Sequence, residues 1–355
     1  MADDALAPGS VVGILGGGQL GRMLALATHR LGLVPHIYDP DPNAPAGAVT
    51  RHHTVAGFDD TDSLRGFADG VDVVTYEFEN IPLPALDTIE ASAPIRPGRR
   101  ALEVSSDRLL EKRFLAGLGL SVAGHADTPD LPALRSSLAQ LGLPAILKTR
   151  RLGYDGKGQV RITDPGAAEA ALTALDGQPA ILEAVVPFER EISVIAARGL
   201  TGEVVAFDPG ENLHRDGILA QTTVPASVPA SLAQDAILAA GRILNALDYV
   251  GVLGVEMFVT PRGLVINEIA PRVHNSGHWT EAACLIDQFE QHIRAIAGWP
   301  LGDGRRHSDA VMENLLGAAI DALPTTRTAG VQHYGKTAIR PGRKMGHITR
   351  LSPRR

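Results

Sequence analysis

A lysine-bearing glycine loop and two glutamates in neighbouring apolar runs are the groups of this 355-residue chain whose types and spacing could do chemistry. Lys148 ends the run PAILK and is followed by Arg-Arg-Leu-Gly-Tyr-Asp-Gly-Lys-Gly-Gln159. Gly153, Gly156 and Gly158 let the backbone approach a ligand closely, and Lys157 stands between two of them. A lysine at a strand end plus a second lysine on a flexible loop suits a triphosphate. Its charge must be neutralised, and a cover must exclude water. The segment is not a Walker A motif, because no Gly-Lys-Ser/Thr opens a helix. Taken alone it is also consistent with a mobile hairpin tip carrying solvated lysines.

Glu256 lies in GVEMFVT and Glu268 in GLVINEIAP, two runs joined around Pro261-Arg262-Gly263, a hairpin signal. With Arg262 at the centre of a three-residue loop, the two glutamates face each other across the ladder. Like charges about 5 Å apart are unfavourable unless a cation lies between them. Hard oxygen ligands with phosphate as the remaining partner describe Mg²⁺ in nucleotide enzymes, with Mn²⁺ as an alternative. A bulge at Gly263 would shift this register, and the competing reading is two solvent-facing glutamates on an edge hairpin. The apolar run between them and Asn267 beside Glu268 weigh against that reading. His274 and His278 in PRVHNSGHW have H-x₃-H spacing, but Pro271, Asn275 and Gly277 place them on a loop, where a zinc pair is not expected. Arg272 with His274 reads better as a clamp for a substrate anion. No nucleophile-elbow sequence supports a Ser–His–Asp hydrolase.

A second glycine-rich turn, GILGGGQLGRM, places Gly16, Gly18 and Gly21 in G-x-G-x-x-G spacing between an apolar run and a helical pattern. Such a turn gathers backbone N–H groups and a helix dipole, and so suits any anionic group. Asp39, ending HIYD, stands near the position where a dinucleotide site wants its acidic residue. An NAD site, another phosphate-bearing ligand and a tight turn without a ligand all remain open on these residues.

Around these groups the chain changes its grammar. VVGIL, VPHIYD, HHTVA, VDVVTYEF and APIRP read as strands, with helices at Leu20–Leu31, Asp62–Ala68 and Leu83–Ala91 between them. That alternation predicts a parallel sheet flanked by helices. A helix opens at Ser105-Ser-Asp, with apolar spacing at Leu109, Leu110, Phe114 and Leu118. Beyond it LPAILKTR, QVRIT, PAILEAVV, EISVIAARG, EVVAFDP, VGVLGVEMFVT and GLVINEIA read as strands with few crossover helices, which predicts antiparallel pairing. Long helices are expected at Leu232–Leu247 and Glu281–Ile296. The final stretch carries a basic cluster of Lys336, Arg340, Arg343, Lys344 and Arg350.

The length suggests two or three domains, and 45% hydrophobic residues supply a core. A net charge of −7 argues against a nucleic-acid partner, so any anion site must be local. The single cysteine, Cys284, excludes an internal disulfide framework and cysteine-rich zinc sites. No apolar run reaches membrane-spanning length, and the acidic start MADDALAPGS is unlike a signal peptide. A soluble cytoplasmic enzyme is expected.

Taken together, GQLGRM, KTRRLGYDGKGQ, ENLHRDGIL, NEIAPRVHNSGHWT and RPGRKMGH resemble the N5-carboxyaminoimidazole ribonucleotide synthetases, ATP-grasp carboxylases of purine biosynthesis. The resemblance runs from about Gly13 to Gly346. It implies an α/β and α+β chain with the ATP-grasp fold: a disordered extension over 1–10, a Rossmann-like substrate domain over 11–103, a two-lobed ATP-grasp domain over 104–300 and a small β-rich C-terminal domain over 301–355. In such enzymes the N-terminal glycine turn binds no NAD and lies beside the ribonucleotide.

The resemblance further implies an ATP site of Arg108, Lys148, Gly153, Tyr154, Asp155, Gly156, Lys157, Gly158, Gln159, Glu183, Ala184, Val185, Val186, Glu191, His214, Asn267 and Glu268. Glu183 to Val186 would run along the adenine and Glu191 would hold the ribose, while Glu256 and Glu268 would carry Mg²⁺. The substrate 5-aminoimidazole ribonucleotide would meet Gln19, Tyr154, Asp155, Arg272, His274, Lys336, Arg343 and Lys344. Bicarbonate, the second substrate, would attack the γ-phosphate to give carboxyphosphate, with Lys148, Lys157 and Arg272 among the catalytic groups and Asp155 orienting or deprotonating the amine. A homodimer without nucleic-acid or membrane partners is implied. A related purine-pathway ligase, the formate-dependent glycinamide ribonucleotide transformylase, is the alternative. Members of the family usually continue for some tens of residues beyond RPGRKMGH, so a shortened C-terminal domain is expected.

Overall fold

The computed structural model describes residues 5–153, 157–325, 327 and 330–354. Its first sheet is parallel: β1 (Val11–Leu15), β2 (Val34–Tyr38), β3 (His52–Thr54) and β4 (Val73–Tyr76) lie in the order β3-β2-β1-β4. Helix α1 (Gln19–Arg30) links β1 to β2, α2 (Thr61–Ala68) links β3 to β4, and α3 (Leu83–Glu90) follows β4. Val12, Ile14 and Ile37 are fully buried, as strands covered on both faces must be. APIRP forms no strand and touches the sheet through a lone bridge between Val74 and Ile95.

The helix expected to open near Ser105 is preceded by α4 (Arg99–Ser105), so Ser105 closes one helix. The next, α5 (Arg108–Gly117), starts at Asp107, whose carboxylate accepts the Leu109 amide at 3.0 Å. Its inward face is also not the one expected: Leu110 is exposed, whereas Glu111 and Lys112 are buried beside Leu109 and Leu115.

A second sheet follows, with β5 (His125–Thr128), β6 (Ala145–Thr149), β7 (Gln159–Ile162) and β8 (Ala180–Ala184) in the antiparallel order β5-β8-β6-β7. Helices α6 (Leu131–Leu141) and α7 (Ala168–Thr173) pack on it around Leu134, Leu138 and Leu147.

The third sheet holds β9 (Arg190–Arg198), β10 (Val204–Ala206), β11 (Gly210–Arg215), β12 (Ile218–Val224), β13 (Gly251–Thr260), β14 (Gly263–Ala270), β15 (Ser308–Leu316), β16 (Val331–His333) and β17 (Lys344–Pro353). Their order is β14-β13-β9-β11-β12-β15-β17-β16, with β10 on β9. The C-terminal strands are therefore continuous with the central sheet through the β12–β15 ladder. One face of β9 and β13 presents Ile192, Val194, Val255 and Met257 to α8 (Ala230–Ala246), whose Ala236, Ala240 and Ile243 complete that core. On the opposite face Ile195, Ala197 and Val252 pack with Phe289 and Ile293, while Ser193 and Glu256 supply polar side chains further along.

Two further expectations differ. The helix over Glu281–Ile296 is split into α9 (Thr280–Ala283) and α10 (Gln288–Ile296), because Cys284 bridges to Arg306 and Asp287 accepts the Phe289 and Glu290 amides as a new N-cap. Residues 1–10 are also not a disordered extension as a whole. Residues 5–10 dock on the body: the Leu6 amide donates to Ala297 O at 2.9 Å, Trp299 Nε1 donates to Leu6 O at 2.8 Å, and Leu6 packs on the core.

Candidate active site

The β13–β14 hairpin sets the central geometry. The turn is a two-residue one, Pro261-Arg262, closed by the Thr260–Gly263 pair, rather than a three-residue loop centred on Arg262. That register alone would offset the glutamates. A bulge at Asn267 restores it: Met257 pairs with Ile266, while Glu256 pairs with Glu268. Paired residues share a face, and ladder partners extend that face across the sheet. Ser193 pairs with Glu256, Glu191 with Phe258, and Asn212 with Glu191. Burial, and then the Glu268 carboxylate, push Glu256 up to about 7.

Around this row the side chains are interlocked. His214 Nδ1 bonds the Glu191 carboxylate. Burial disfavours the His214 cation, but Glu191 and Glu256 outweigh it and raise the imidazole's affinity for a proton. His274 Nε2 lies 3.4 Å from Glu256 Oε1, and its Nδ1 lies 2.8 Å from Ser276 Oγ. Burial and the nearby Arg272 charge keep His274 neutral, well below the ordinary histidine range. Gly254 allows this approach, since a Cβ there would meet the His274 Cβ at 2.8 Å.

The second sheet supplies the cations. Lys148 Nζ donates to Glu183 Oε2 at 2.8 Å, across the β6–β8 ladder. Burial disfavours ionised Glu183, but Lys112 and Lys148 together hold its pKa below the usual carboxylate range. Arg108 Nη2 donates to Gly153 O at 3.1 Å, which ties the start of the glycine loop to α5. The other end is tied by the Thr149 amide to Gly158 O at 2.8 Å, and Gln159 pairs with Lys148. Lys157 lies on this descending arm; Tyr154, Asp155 and Gly156 lie outside the described residues. Beyond Glu183, the residues Ala184, Val185 and Val186 line a cavity of about 590 Å³ with Val122, Gly124 and Leu264. Glu191 and His214 border another of about 380 Å³.

The N-terminal glycine turn is already filled by a carboxylate of the chain. Glu77, just past β4, accepts the Gly18 amide, and its Oε2 accepts the Gly21 amide at 2.7 Å. A Cβ on Gly18 would lie 2.4 Å from Glu77 Oε1. Asp39 Oδ2 accepts the Gly17 amide at 2.6 Å, so the acid that suggested a ribose contact braces the turn. Gln19, the first residue of α1, bonds Lys336 Nζ, which also donates to Lys344 O at 2.8 Å. Lys344 opens β17 and lies close enough to His214 and His274 to disfavour their protonation. Arg272 is engaged by Glu79 at 2.6 Å. Arg343 turns into its own loop, donating to Ala338 O at 2.8 Å.

Sequence reading therefore missed Glu77 and Glu79, although their alternation in YEFEN at a strand end was a usable signal. It also missed Glu111, Lys112 and Gln288, whose roles depend on tertiary contacts. Gln288 Oε1 accepts the His274 amide at 2.9 Å and its Nε2 donates to the His274 carbonyl at 2.8 Å.

Three family models match in succession: the ribonucleotide synthetase preATP-grasp domain over residues 10–106, the ATP-grasp domain over 113–289 and the phosphoribosylaminoimidazole carboxylase C-terminal domain over 310–355. The N5-carboxyaminoimidazole ribonucleotide synthase of Brucella melitensis is 52% identical over 360 residues, covering 100% of this chain and 99% of that protein. The chain belongs to the N5-carboxyaminoimidazole ribonucleotide synthase family.

Among solved structures, an N5-carboxyaminoimidazole ribonucleotide synthetase in complex with ADP superposes with a TM-score of 0.94 at 40% identity, covering 99% of this chain and 94% of that one. The Aspergillus clavatus synthase, in complex with ADP and 5-aminoimidazole ribonucleotide, gives 0.91 at 31% identity, covering 98% and 94%. The ATP-grasp fold of this family is thus the fold of the chain. Among the described residues no helix is long and apolar enough to cross a membrane.

Proposed function

We propose that this synthase-family chain is an ATP-grasp carbon–nitrogen ligase. It carboxylates 5-aminoimidazole ribonucleotide with ATP and bicarbonate to give N5-carboxyaminoimidazole ribonucleotide, ADP and phosphate, in purine biosynthesis. The observation that carries the reading is the pairing of Glu256 with Glu268 on the sheet face shared with Glu191, facing a lobe that supplies Lys148 and the glycine loop. The residues fit Mg²⁺: the Glu256 proton affinity is raised by burial and by Glu268, a repulsion that a bound cation relieves. Glu256 and Glu268 would hold the metal, which when bound neutralises phosphate charge.

Adenine would lie along Glu183–Val186 beside the 590 Å³ cavity, with Glu191, oriented by His214, at the ribose. Arg108, Gly153, Lys157, Gly158, Gln159 and Asn267 complete the ATP site, together with Tyr154, Asp155 and Gly156, which stand between Gly153 and Lys157 in the sequence. A bicarbonate oxygen attacks the γ-phosphorus, the bond to the β-phosphate oxygen breaks, and ADP leaves with carboxyphosphate remaining. Lys148 and Lys157 stabilise the spreading charge. The exocyclic amine of the ribonucleotide attacks the carboxyl carbon, the carbon–oxygen bond to phosphate breaks, and Asp155 takes the amine proton. Neutral His274 and Arg272, held by Glu79, would face the ribonucleotide with Gln19, Lys336, Arg343 and Lys344. A homodimer in the cytoplasm is part of the proposal.

The test is ADP release with aminoimidazole ribonucleotide plus bicarbonate, against glycinamide ribonucleotide plus formate. Turnover with the first pair is expected; turnover restricted to the second would make the chain the transformylase.

A further inference from the structure

Helix α5 carries charge on its buried side. Glu111 and Lys112 are 3% and 1% exposed, and the helix packs on β14. Glu111 Oε1 accepts the Ile269 amide at 2.7 Å, and Lys112 Nζ donates to the Asn267 carbonyl at 2.5 Å. These two backbone groups flank Glu268. They lie where the β13–β14 ladder slips by one residue, so α5 supplies partners for backbone around the bulge.

Lys112 has a second contact. Its Nζ stands 3.8 Å from Glu183 Oε2, the oxygen that accepts Lys148 at 2.8 Å. One ammonium therefore touches both the strand bearing Glu268 and the carboxylate that holds Lys148. Burying an ammonium costs several kcal/mol before its partners compensate, and an apolar side chain would fill such a place more cheaply. Packing alone does not call for lysine here. The same helix also braces the glycine loop, since Arg150 bonds the α5 cap Asp107 at 2.7 Å and Arg108 bonds Gly153 O.

We propose that Lys112 is a positioning residue of the phosphoryl-transfer site: it locks the Asn267–Glu268 backbone against the Glu183–Lys148 pair, fixing the metal-side carboxylates relative to the phosphate-side lysine before nucleotide arrives. The inference rests on the assignment of Glu256 and Glu268 to Mg²⁺. Its test is ADP binding, measured calorimetrically with and without Mg²⁺, for the full-length wild type and Lys112→Met, with thermal melts alongside. The wild type should bind ADP more tightly with Mg²⁺. In Lys112→Met that enhancement should fall about tenfold or more, the range seen when groups orienting metal ligands are removed, while metal-free ADP binding changes by less than about threefold.

A lowered melting temperature with an unchanged Mg²⁺ enhancement would make Lys112 merely structural and overturn the proposal. If Lys112→Met does not fold, Lys112→Gln, which keeps a donor but no charge, is judged by the same ratio. A wild type without any Mg²⁺ enhancement would refute the metal assignment itself, and this inference with it, which separates the two failures.

Discussion

Glu256 on β13 stands directly opposite Glu268 on β14, and the pair exists because the Asn267 bulge offsets a turn one residue shorter than the facing register requires. Burial and the Glu268 carboxylate raise the proton affinity of Glu256, and one divalent ion held by both carboxylates would relieve that repulsion. Glu268→Gln should lower ATP turnover at least about 100-fold, the scale of losing a preorganised charge stabiliser, with a melting temperature close to wild type. Initial rates of ADP release beside a thermal melt read both. Wild-type turnover would remove Glu268 from the metal.

The basic groups of β17 and the preceding loop make a separate prediction. Lys344 lies near His214 and His274, and its carbonyl is tied through Lys336 to Gln19 on α1. If its ammonium meets the ribonucleotide phosphate, Lys344→Ala should raise the Michaelis constant for 5-aminoimidazole ribonucleotide about tenfold or more, the value of a charge-assisted contact, with kcat changed far less. An unchanged constant would take Lys344 out of the site.

The glycine turn predicts a stability effect. Glu77 accepts two amides at the start of α1 from 59 and 56 residues away. Glu77→Ala should destabilise the protein by about 1–2 kcal/mol, as for a lost helix cap. NADH should bind neither form, which a fluorescence titration checks. NADH binding by the wild type would mean that Glu77 yields the turn to a dinucleotide.

Much of this site was legible in the sequence, and the limits have physical causes. Lys148, Glu183, Glu256 and Glu268 sit on strands whose alternating pattern fixes their faces, so their placement followed from local rules. The Glu256–Glu268 pairing survives a turn one residue shorter than the sequence suggests, because the two-residue turn and the later bulge cancel and neither leaves a clear local signal. The pairing of Arg272 with Glu79, nearly two hundred residues away in the chain, leaves no local signal. Lys112 was invisible for the opposite reason: a lysine on an amphipathic helix ordinarily faces water, and only the packed structure shows it bonded to Asn267. Helix α4 and the capped break at Asp287 were lost among short polar stretches.

Stability should also depend on pH through Glu281. Burial first, then Asp287, push its carboxyl up to about 8, while Gln332 donates to it at 2.9 Å. The unfolded chain releases this proton near the ordinary value of 4.5, whereas the folded chain holds it until about 8. The contribution is therefore complete below about 4.5 and is lost as pH rises through 8, by at most about 1.4 kcal/mol per pH unit. Denaturant melts of wild type and Glu281→Gln between pH 5 and 8 should show a shallower decline in the variant. Parallel pH profiles would deny the buried, protonated state.

The central claim is that bicarbonate is activated by accepting the γ-phosphoryl group at the face formed by Glu256, Glu268 and Lys148. It is tested most directly by turnover with ¹⁸O-labelled bicarbonate and mass analysis of the phosphate released. One labelled oxygen is expected in each phosphate formed. Phosphate free of label, at a full rate of ribonucleotide carboxylation, would contradict it.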